Sequence, residues 1–235
     1  MELNSSELKK YSRQLILKNI GIPGQKKIFN SKVLVVGAGG LGCPLMLYLA
    51  YSGVGNLGIA DNDKVEISNL SRQVLFTKKD LGKFKVMVSK NFIKRINKKI
   101  LVKTFLKKIN KENIHQIAKN YDFICDVTDN FKSRLLINDY CIKYKKVLIS
   151  SAISKYDGHV FNFDFRKDGP CLRCFMPSLP SINQNCESEG IMSTLAGIAG
   201  SLQANEVVKS ILNIGKPLKN EIMIFNALVL NFIKV

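Results

Sequence analysis

KVLVVGAGGLG, residues 32–42, joins a short apolar run to a glycine-rich turn and the start of a helical segment. The apolar run Lys32–Val36 is typical of a strand buried on both faces, as in parallel sheets. Gly37, Gly39 and Gly42 have the spacing G-x-G-x-x-G, which lets a phosphate approach backbone N–H groups at a helix start. The stretch therefore predicts a nucleotide-binding turn between a strand and a helix.

Strands and helices alternate on both sides of this turn up to about residue 151. This alternation favours an α/β fold with a doubly wound, mostly parallel sheet and a Rossmann-like nucleotide-binding half. The predicted strands are 32–36, 56–60, 100–105, 122–125 and 147–150, and the predicted helices are 41–52, 83–97, 112–119 and 131–143.

The pattern differs at both ends of the chain. Residues 4–18 read as one helix that starts at a capping pair, Asn4 and Glu7, and ends before Gly21, Pro23 and Gly24. The second half reads as antiparallel C-terminal strands around a long helix. Its predicted strands are 156–165, 221–225 and 228–234, and its helix is 192–212.

Length and composition predict a single globular domain over residues 1–235, because the chain is 46% hydrophobic and 23% charged. The first residues lack the features of a signal peptide, and the most apolar segment, 191–202, is too short to span a bilayer. We therefore expect a cytoplasmic protein without a membrane partner. Cys43, Cys125 and Cys141 lie in apolar or helical segments, which predicts buried thiols.

The net charge is +18, from 36 Lys+Arg against 18 Asp+Glu. The lysines are scattered and accompany no nucleic-acid-binding motif, so we predict no nucleic-acid partner. A basic surface favours an acidic protein or a nucleotide instead.

Polar residues follow the second predicted strand. Asp61 ends this strand, where an acidic residue holds the ribose hydroxyls of a bound nucleotide. Asp63, Asn69, Arg72 and Lys85 come soon after it. Two cations and an amide suit a triphosphate and its leaving pyrophosphate, whereas a dehydrogenase does not need them. The alternative is that Arg72 and Lys85 are solvated surface charges.

DVTDN, residues 126–130, ends the strand predicted at 122–125. Ligands of open α/β sheets bind at the carboxyl ends of strands, so Asp126 or Asp129 is a candidate Mg²⁺ ligand. The alternative role is to cap the next helix, for which Asp129 and Asn130 are both suitable.

Taken together, these motifs resemble the ThiF/MoeB/HesA family of ubiquitin-activating-like adenylyltransferases. The resemblance runs over nearly the whole chain. The motifs are specific for this family when they occur together in order, although no single motif is. It rests, in order, on YSRQ (11–14), VVGAGGLG (35–42), GVGNLGIADND (53–63), SNLSRQ (68–73), GKFK (82–85), CDVTDN (125–130), CLRC (171–174) and GIAGSLQANEVVK (197–209).

The resemblance implies a homodimer that uses ATP and Mg²⁺ to adenylate the C-terminal Gly-Gly carboxylate of a small ubiquitin-like sulfur-carrier protein. Pyrophosphate leaves, and the acyl-adenylate becomes a thiocarboxylate for thiamin or molybdopterin synthesis, with a cysteine desulfurase or a rhodanese as sulfur donor. The resemblance also divides the chain into a helical arm (1–30), an ATP-binding half (31–151) and a carrier-binding half (152–235) with a crossover loop at about 175–190.

The resemblance also assigns roles to residues that match the family motifs. They are Gly37, Gly39 and Gly40 for ATP, Asp61 for the ribose, Asn69, Arg72 and Lys85 for the phosphates, Asp129 for Mg²⁺ and as the essential acid, and Arg13 for the phosphates of the neighbouring subunit.

Cys186 lies in the predicted crossover loop. Some family members use a cysteine there for a thioester or acyl-disulfide step, and a loop thiol beside a helix start and a basic surface is easily ionised. The other reading is that Cys186 is a bystander, since adenylation does not need it.

Cys171 and Cys174 form a C-x-x-C pair, which is half of a structural Zn²⁺ site. In the family a second such pair near the C-terminus completes the site, and this sequence contains no second C-x-x-C. Nothing in the spacing demands that Cys186, His115 or His159 complete it. We therefore expect a metal-free pair that packs the hairpin. A disulfide is not expected in a reducing cytoplasm.

Two readings from other classes stay open. An NAD-dependent oxidoreductase has the glycine motif as its only support. A non-catalytic carrier-binding subunit is expected to lack Arg72, Lys85 or Asp129, and all three are present.

Overall fold

A computed structural model describes residues 3–176, 190–219 and 221–235 of the chain. An eight-stranded sheet runs through these residues in the order β3-β2-β1-β4-β5-β6-β7-β8. The strands are β1 (Lys32–Val36), β2 (Asn56–Ala60), β3 (Leu101–Phe105), β4 (Phe123–Asp126), β5 (Val147–Ser154), β6 (Asp157–Asp164), β7 (Ile222–Asn226) and β8 (Asn231–Lys234).

Helices flank the sheet on both faces. In chain order they are α1 (Ser5–Lys10), α2 (Ser12–Leu15), α3 (Gly21–Asn30), α4 (Gly42–Ser52), α5 (Lys85–Ile96), α6 (Ile114–Ala118), α7 (Phe131–Lys143), α8 (Leu172–Phe175) and α9 (Ser193–Leu212). Within the described residues, none of them is long and apolar enough to cross a bilayer.

The strand order of the sheet reverses between β1 and β4, which are neighbours at its centre. Strands β1 to β5 pair in parallel, and β6, β7 and β8 continue the sheet antiparallel. Val36 at the end of β1 pairs with Asp126 at the end of β4, so the segments that follow these two strands leave the sheet side by side. The predicted fold class is confirmed, and the switch point lies where ligands of such sheets bind.

Alternate residues of β1 enter two separate cores. Val33 and Val35 belong to the core under α4, α5 and α9, whereas Leu34 belongs to the core under α6 and α7. All three side chains are fully buried. This explains why an uninterrupted apolar run marks this strand.

Helix α9 lies along α4 and runs parallel to it. A Cβ added to Gly40, before α4, would lie 3.3 Å from Ala196 in the first turns of α9. One added to Gly200 would lie 2.5 Å from the carbonyl oxygen of Leu41. These small residues allow the two helices to approach closely. The start of α9 therefore lies beside the glycine-rich turn that precedes α4.

The predicted N-terminal helix is wrong in extent. The capping box of Asn4 and Glu7 is present, but the helix breaks at Tyr11, which is buried against Phe29 with its ring centroid at 5.2 Å. Gly21 and Pro23 begin α3 rather than end a helix. Proline is tolerated there because the first-turn N–H groups of a helix have no intrahelical partner.

The final predicted strand is also too long, since β8 begins only at Asn231. Asn226 accepts hydrogen bonds from the amides of Leu228 and Val229, and Leu230 adopts a positive φ of 53°, so these residues form a tight turn. The strand predicted at 147–150 extends four residues further, since β5 runs to Ser154 to pair with β6. The other predicted elements are confirmed with small shifts at their ends. Cys43, Cys125 and Cys141 are buried as predicted, and burial raises the pKa of Cys43 to about 12.

Candidate functional site

The glycine-rich turn after β1 is shaped by close backbone contacts. Gly37 has a φ of +107°, and a Cβ there would lie 2.8 Å from the carbonyl oxygen of Val127. A Cβ on Gly42 would lie 2.3 Å from the carbonyl oxygen of Gly37. Both positions therefore require glycine. At Gly39 the nearest atom to an added Cβ is 3.9 Å away, so the open side of the turn has room for a ligand.

Asp61 connects the end of β2 to the glycine-rich turn. One carboxylate oxygen accepts a hydrogen bond from the Ala38 amide at 2.7 Å, and the other accepts from the Asp63 amide at 2.7 Å. Burial raises the pKa of the Asp61 carboxyl, while these two amides act in the opposite direction. The acidic residue predicted to hold a ribose therefore lies next to the glycine-rich turn predicted to hold phosphates.

Lys85 begins α5 and forms an ion pair with Asp63, with 3.0 Å between Nζ and Oδ2. The lysine side chain is 8% exposed and the aspartate side chain 59% exposed. The prediction weighed Lys85 as a solvated surface charge, and that reading is wrong because the side chain is buried. A buried ammonium beside the glycine-rich turn attracts anions strongly, because water screens its charge little.

Arg72 and Gln73 cover the outer side of the same turn. Carbons Cγ and Cδ of Arg72 lie 3.5 Å from where a Cβ of Gly40 would be, and its guanidinium donates to the Ser68 carbonyl at 3.0 Å. Asn69 is buried and fixes this segment, since its carbonyl accepts from the amides of both residues.

Gln73 lines the same turn, although the sequence analysis did not single it out. Its side chain is 3% exposed, its Nε2 is the atom 3.9 Å from the Cβ position at Gly39, and its Oε1 has no hydrogen-bond partner within the described part of the chain. A buried amide without a partner costs stability, so its presence calls for an explanation. The signal available was its place in the SNLSRQ motif.

The turn after β4 separates the candidate roles of its two aspartates. Asp126 is buried and accepts hydrogen bonds from Ser150 at 2.8 Å and from the Thr128 hydroxyl at 2.7 Å. Asn130 caps α7 through the Ser133 amide at 2.9 Å. Asp129 is exposed beside them. The structure therefore uses Asp126 internally and Asn130 as the cap. The exposed carboxylate of Asp129 accepts a hydrogen bond from the Asn130 side-chain amide at 3.2 Å and remains accessible from solvent.

Arg134 of α7, which the sequence analysis did not single out, fixes this turn. Its guanidinium pairs with Asp126 at 3.4 Å and donates to the carbonyls of Thr128 and Ser151. Its buried side chain also donates to Ser150 at 3.1 Å. These bonds hold the backbone that leads to Asp129.

Arg13 lies outside this cluster. It is an exposed residue of α2, and its neighbour Gln14 lines a groove of about 300 Å³ with Tyr48 and Ser52 at the far end of α4. Ten residues separate Gly42 from Ser52, which is about 15 Å along a helix. Arg13 therefore does not reach the glycine-rich turn of its own chain by this path.

The C-x-x-C pair lies at the start of α8, with Cys171 as the N-cap and Cys174 within the helix. The Sγ atoms of Cys171 and Cys174 are 3.7 Å apart. Two thiolates on one tetrahedral zinc ion at about 2.3 Å lie roughly 3.8 Å apart, so the spacing fits two zinc ligands. No group of three or more metal-ligating side chains occurs in the described ranges, and neither His115 nor His159 joins the pair. The described residues alone therefore do not close a zinc site. Cys186 and positions 177–189 of the predicted crossover loop lie outside the described residues.

Comparison with known proteins identifies relatives of this chain. The ThiF family profile matches residues 11–235. The chain is 38% identical over 241 residues to the sulfur carrier protein adenylyltransferase of Thermus thermophilus, covering all of this chain and 89% of the relative. It is 40% identical over 227 residues to the adenylyltransferase and sulfurtransferase MOCS3 of Culex quinquefasciatus, covering 96% of this chain. The chain spans about half the length of the MOCS3 relatives it matches, 52% in this case.

Solved structures agree with the fold. The E. coli MccB structure with MccA-N7isoASN has a TM-score of 0.87 and 26% identity, over 100% of this chain and 73% of that one. The structure of E. coli MccB with ATP has a TM-score of 0.83 and 26% identity, over 96% of this chain and 70% of that one. From the profile match and these relatives, we conclude that the chain belongs to the ThiF family.

Proposed function

We propose that this chain catalyses ATP-dependent adenylation of the C-terminal carboxylate of a small ubiquitin-like sulfur-carrier protein that ends in Gly-Gly. The observation that carries the proposal is the buried Lys85 and the adjacent Arg72 beside the glycine-rich turn and Asp61. A dinucleotide-binding site needs the turn and the acidic residue but not the two cations. An adenylating site needs all four, because it holds a triphosphate and an attacking carboxylate together.

The relatives support this reaction. Proteins that share 38–41% of their residues with this chain are named as adenylyltransferases of a sulfur carrier protein or of molybdopterin synthase. A structural relative binds ATP. The NAD-dependent oxidoreductase considered from the glycine motif has no comparable support.

The residues divide the work by charge. Backbone amides of the glycine-rich turn at the start of α4 face the phosphates, and Asp61 accepts the ribose hydroxyls. Lys85 and Arg72 bind the phosphates and stabilise the charge that develops as the carboxylate oxygen bonds to the α-phosphorus and pyrophosphate leaves. No general base is needed, because the attacking carboxylate is already ionised at neutral pH. In the absence of nucleotide, Asp63 neutralises Lys85, and it stays beside the phosphates when ATP binds.

Asp129 is the proposed Mg²⁺ ligand. Mg²⁺ on a nucleotide is held by one or two carboxylates together with phosphate oxygens and water, and the exposed carboxylate of Asp129 fits this role. Bound there, the ion would neutralise phosphate charge. The contribution of the chain itself is to hold the Asp129 backbone rigid through Arg134 and the Asn130 cap.

We assign the carrier-binding surface to residues 152–235. The turn and strand at its C-terminal hairpin expose a row of apolar side chains, among them Val229, Leu230, Phe232 and Ile233. Exposed apolar patches of this kind mark interaction sites. Strand β8 is also an edge of the sheet, with backbone groups open for pairing.

The active form is proposed to be a homodimer with Arg13 acting in trans. Arg13 is far from its own site, and exposed apolar side chains lie near it: Ile16, Leu17, Tyr48 and Tyr51. An interface over this face covers them and directs Arg13 towards a neighbouring subunit. The site of each subunit is then incomplete without the other.

The remaining assignments follow from the same proposal. The carrier belongs to thiamin or molybdopterin sulfur transfer, the sulfur comes from a cysteine desulfurase or a rhodanese, and the protein acts in the cytoplasm. The alternative within the family is a further covalent step at Cys186.

The test is ATP–pyrophosphate exchange with the purified protein and Mg²⁺, with and without carriers of the thiamin and molybdopterin types. We expect exchange only with a carrier, and none with the same carrier lacking its last glycine. Two results would contradict the proposal. One is exchange at the same rate with and without a carrier. The other is no exchange with any carrier, together with tight binding of NAD.

A further inference from the structure

The amino ends of the first three strands surround a cavity that the proposed adenylation does not use. Its volume is about 510 Å³, within the range of small-molecule sites. Lys32 begins β1 and pairs with Asn56 at the start of β2, which pairs in turn with Leu101 at the start of β3. Lys32 lies at the opposite end of β1 from Val36, so roughly 13 Å of strand separate this cavity from the glycine-rich turn.

The charges that line this cavity are of one sign. Among the described residues no Asp or Glu lines it, whereas four lysines do: Lys32, Lys90, Lys94 and Lys103. None of the four forms an ion pair with a carboxylate in the described ranges. Lys90 and Lys94 are one turn apart on α5 and only partly exposed. Like charges held around a concave surface reinforce one another in attracting an anion.

Neighbouring groups do not neutralise these lysines. Lys94 uses one of its three N–H donors on the carbonyl of Lys98, at 2.9 Å, and keeps two for a ligand. Asp122 is close along the backbone, since its amide donates to the Lys32 carbonyl at 3.1 Å. It is not among the residues that line the cavity.

A buried hydroxyl belongs to the same cavity. Tyr121 lines it and is only 6% exposed, and its hydroxyl has no hydrogen-bond partner within the part of the chain that the structure describes. A Cβ on Gly58 would lie 2.5 Å from this hydroxyl oxygen, and Gly58 pairs with Lys103. Because paired residues of neighbouring strands point to the same face, the hydroxyl and the Lys103 side chain lie on one face of the sheet. A buried donor of this kind is normally satisfied by a ligand or water.

We propose that this cavity binds a small anion that carries two or more phosphate groups. One phosphate group carries at most about two negative charges, which leaves part of the charge of four lysines uncompensated. The Tyr121 hydroxyl supplies a further donor for a phosphate oxygen. The phosphates of a nucleic acid have the same chemistry. The lysines, however, converge on one cavity of small-molecule size, which favours a free, compact anion.

Calorimetric titration of the full chain with inorganic tripolyphosphate, in metal-free buffer of fixed ionic strength, tests the site. The titration uses Lys85→Met protein, which lacks the ammonium group beside the glycine-rich turn, and we expect one equivalent to bind. Adding Lys90→Gln and Lys94→Gln should weaken this binding by about tenfold or more. Inorganic phosphate should also bind about tenfold more weakly than tripolyphosphate.

Two further variants separate the cavity from general attraction to a basic chain. Tyr121→Phe removes only the hydroxyl and should weaken tripolyphosphate binding by about tenfold. Lys107→Gln with Lys108→Gln is the matched control. It removes the same charge as the α5 pair, from the exposed loop after β3, and should leave the affinity nearly unchanged.

Three results would overturn the proposal. The first is no saturable binding of tripolyphosphate, and the second is an equal loss of affinity in the α5 variant and its matched control. The third is a single-stranded RNA that binds through Lys90 and Lys94 more tightly than tripolyphosphate does. The test is independent of the proposed function, because the α5 variant with Lys85 intact should retain pyrophosphate exchange with a carrier.

Discussion

Lys85 and Asp63 form a 3.0 Å ion pair in which the lysine is buried and the aspartate is exposed. This difference in exposure shows that the fold fixes the position of Lys85 more than that of Asp63. An ammonium group held with little access to water keeps its attraction for phosphate, whereas an exposed carboxylate is well screened. The pair therefore prepares Lys85 for an anion that arrives from solvent.

Lys85→Met should remove this charge at little cost to folding, because methionine fills the buried volume and leaves only an exposed carboxylate without its partner. We expect pyrophosphate exchange to fall by about 10²–10³, the usual loss for one transition-state charge contact. Lys83→Met is the matched control, since Lys83 pairs with Asp80 at 3.2 Å on the exposed surface. Equal losses in the two variants would show that Lys85 has no special role.

Asp129→Ala tests the magnesium assignment. Asp129 is exposed and Asn130 provides the helix cap, so folding stability should be nearly unchanged while exchange is abolished at ordinary Mg²⁺ concentrations. Asp122→Ala removes an exposed aspartate at the opposite end of β4 and should leave exchange intact. Full activity of Asp129→Ala would rule out this carboxylate as the metal ligand.

Gln73→Leu and Gln203→Leu should have opposite effects on stability. Gln73 has a buried Oε1 without a partner among the residues that the structure describes, so leucine removes an unsatisfied polar atom and should be neutral or stabilising by about 1 kcal/mol. The Oε1 of Gln203 is likewise unpaired among the described residues, but its Nε2 donates to the carbonyls of Asp126 at 3.2 Å and Ile149 at 2.8 Å. Leucine there removes both bonds and should cost about 1–3 kcal/mol.

If Gln73 is kept for ligand binding, Gln73→Leu should also weaken ATP binding. Urea unfolding measures the stability and calorimetric titration the affinity for ATP. Unchanged ATP affinity combined with lower stability would assign Gln73 to the fold and not to the site.

Stability should fall in mild acid because of His159. Burial, and then the nearby Arg134 charge, lowers the pKa of His159 from 6.5 to about 4. Above pH 6.5 the imidazole is neutral in both states. As pH falls from 6.5 towards 4, the unfolded chain binds a proton that the folded chain does not, so the folded state loses up to roughly 3 kcal/mol.

His159→Phe removes this titration and keeps an aromatic ring against Phe161, whose centroid lies 4.8 Å away. The slope of unfolding free energy between pH 6.5 and 4 should flatten. His115→Gln, which removes the other, exposed histidine, is the control and should retain the slope. An unchanged slope in His159→Phe would show that other groups cause the acid sensitivity.

Arg13 and Lys85 should complement each other between subunits. Arg13→Ala and Lys85→Met homodimers are both expected to be inactive. Mixed in equal amounts and allowed to exchange, they form heterodimers in which one of two sites has both residues intact, which restores about a quarter of wild-type activity. No recovery on mixing, with exchange of subunits verified, would contradict an Arg13 that acts in trans.

The parallel part of the fold was predictable because each buried strand is a short run of apolar residues in the sequence. The bounds of β1 and β2 follow directly from apolar runs between glycines and polar residues. The N-terminal arm was misjudged because Pro23 is as acceptable in the first turn of a helix as after its end. Only the packing of Tyr11 on Phe29 decides between them.

The placement of the site was predictable for a similar reason. Carboxyl ends of neighbouring parallel strands meet, so the glycine-rich turn, Asp61 and the 126–130 segment had to lie together. The sequence analysis missed three features that depend on tertiary contacts. They are the bonds of Arg134, the parallel course of α9 beside α4, and the Gln73 Oε1 that has no partner in the described part of the chain. Gln203, for example, reaches Asp126 across 77 residues of sequence.

The most direct test of the central claim is to look for the acyl-adenylate on the carrier itself. The protein, Mg-ATP and a carrier ending in Gly-Gly are mixed with pyrophosphatase, and the carrier is measured by intact mass spectrometry. The proposed reaction predicts a carrier heavier by one adenylyl group at its C-terminal glycine, absent with Lys85→Met. A carrier of unchanged mass, in a reaction where it binds and ATP is present, would contradict adenylation as the function of this chain.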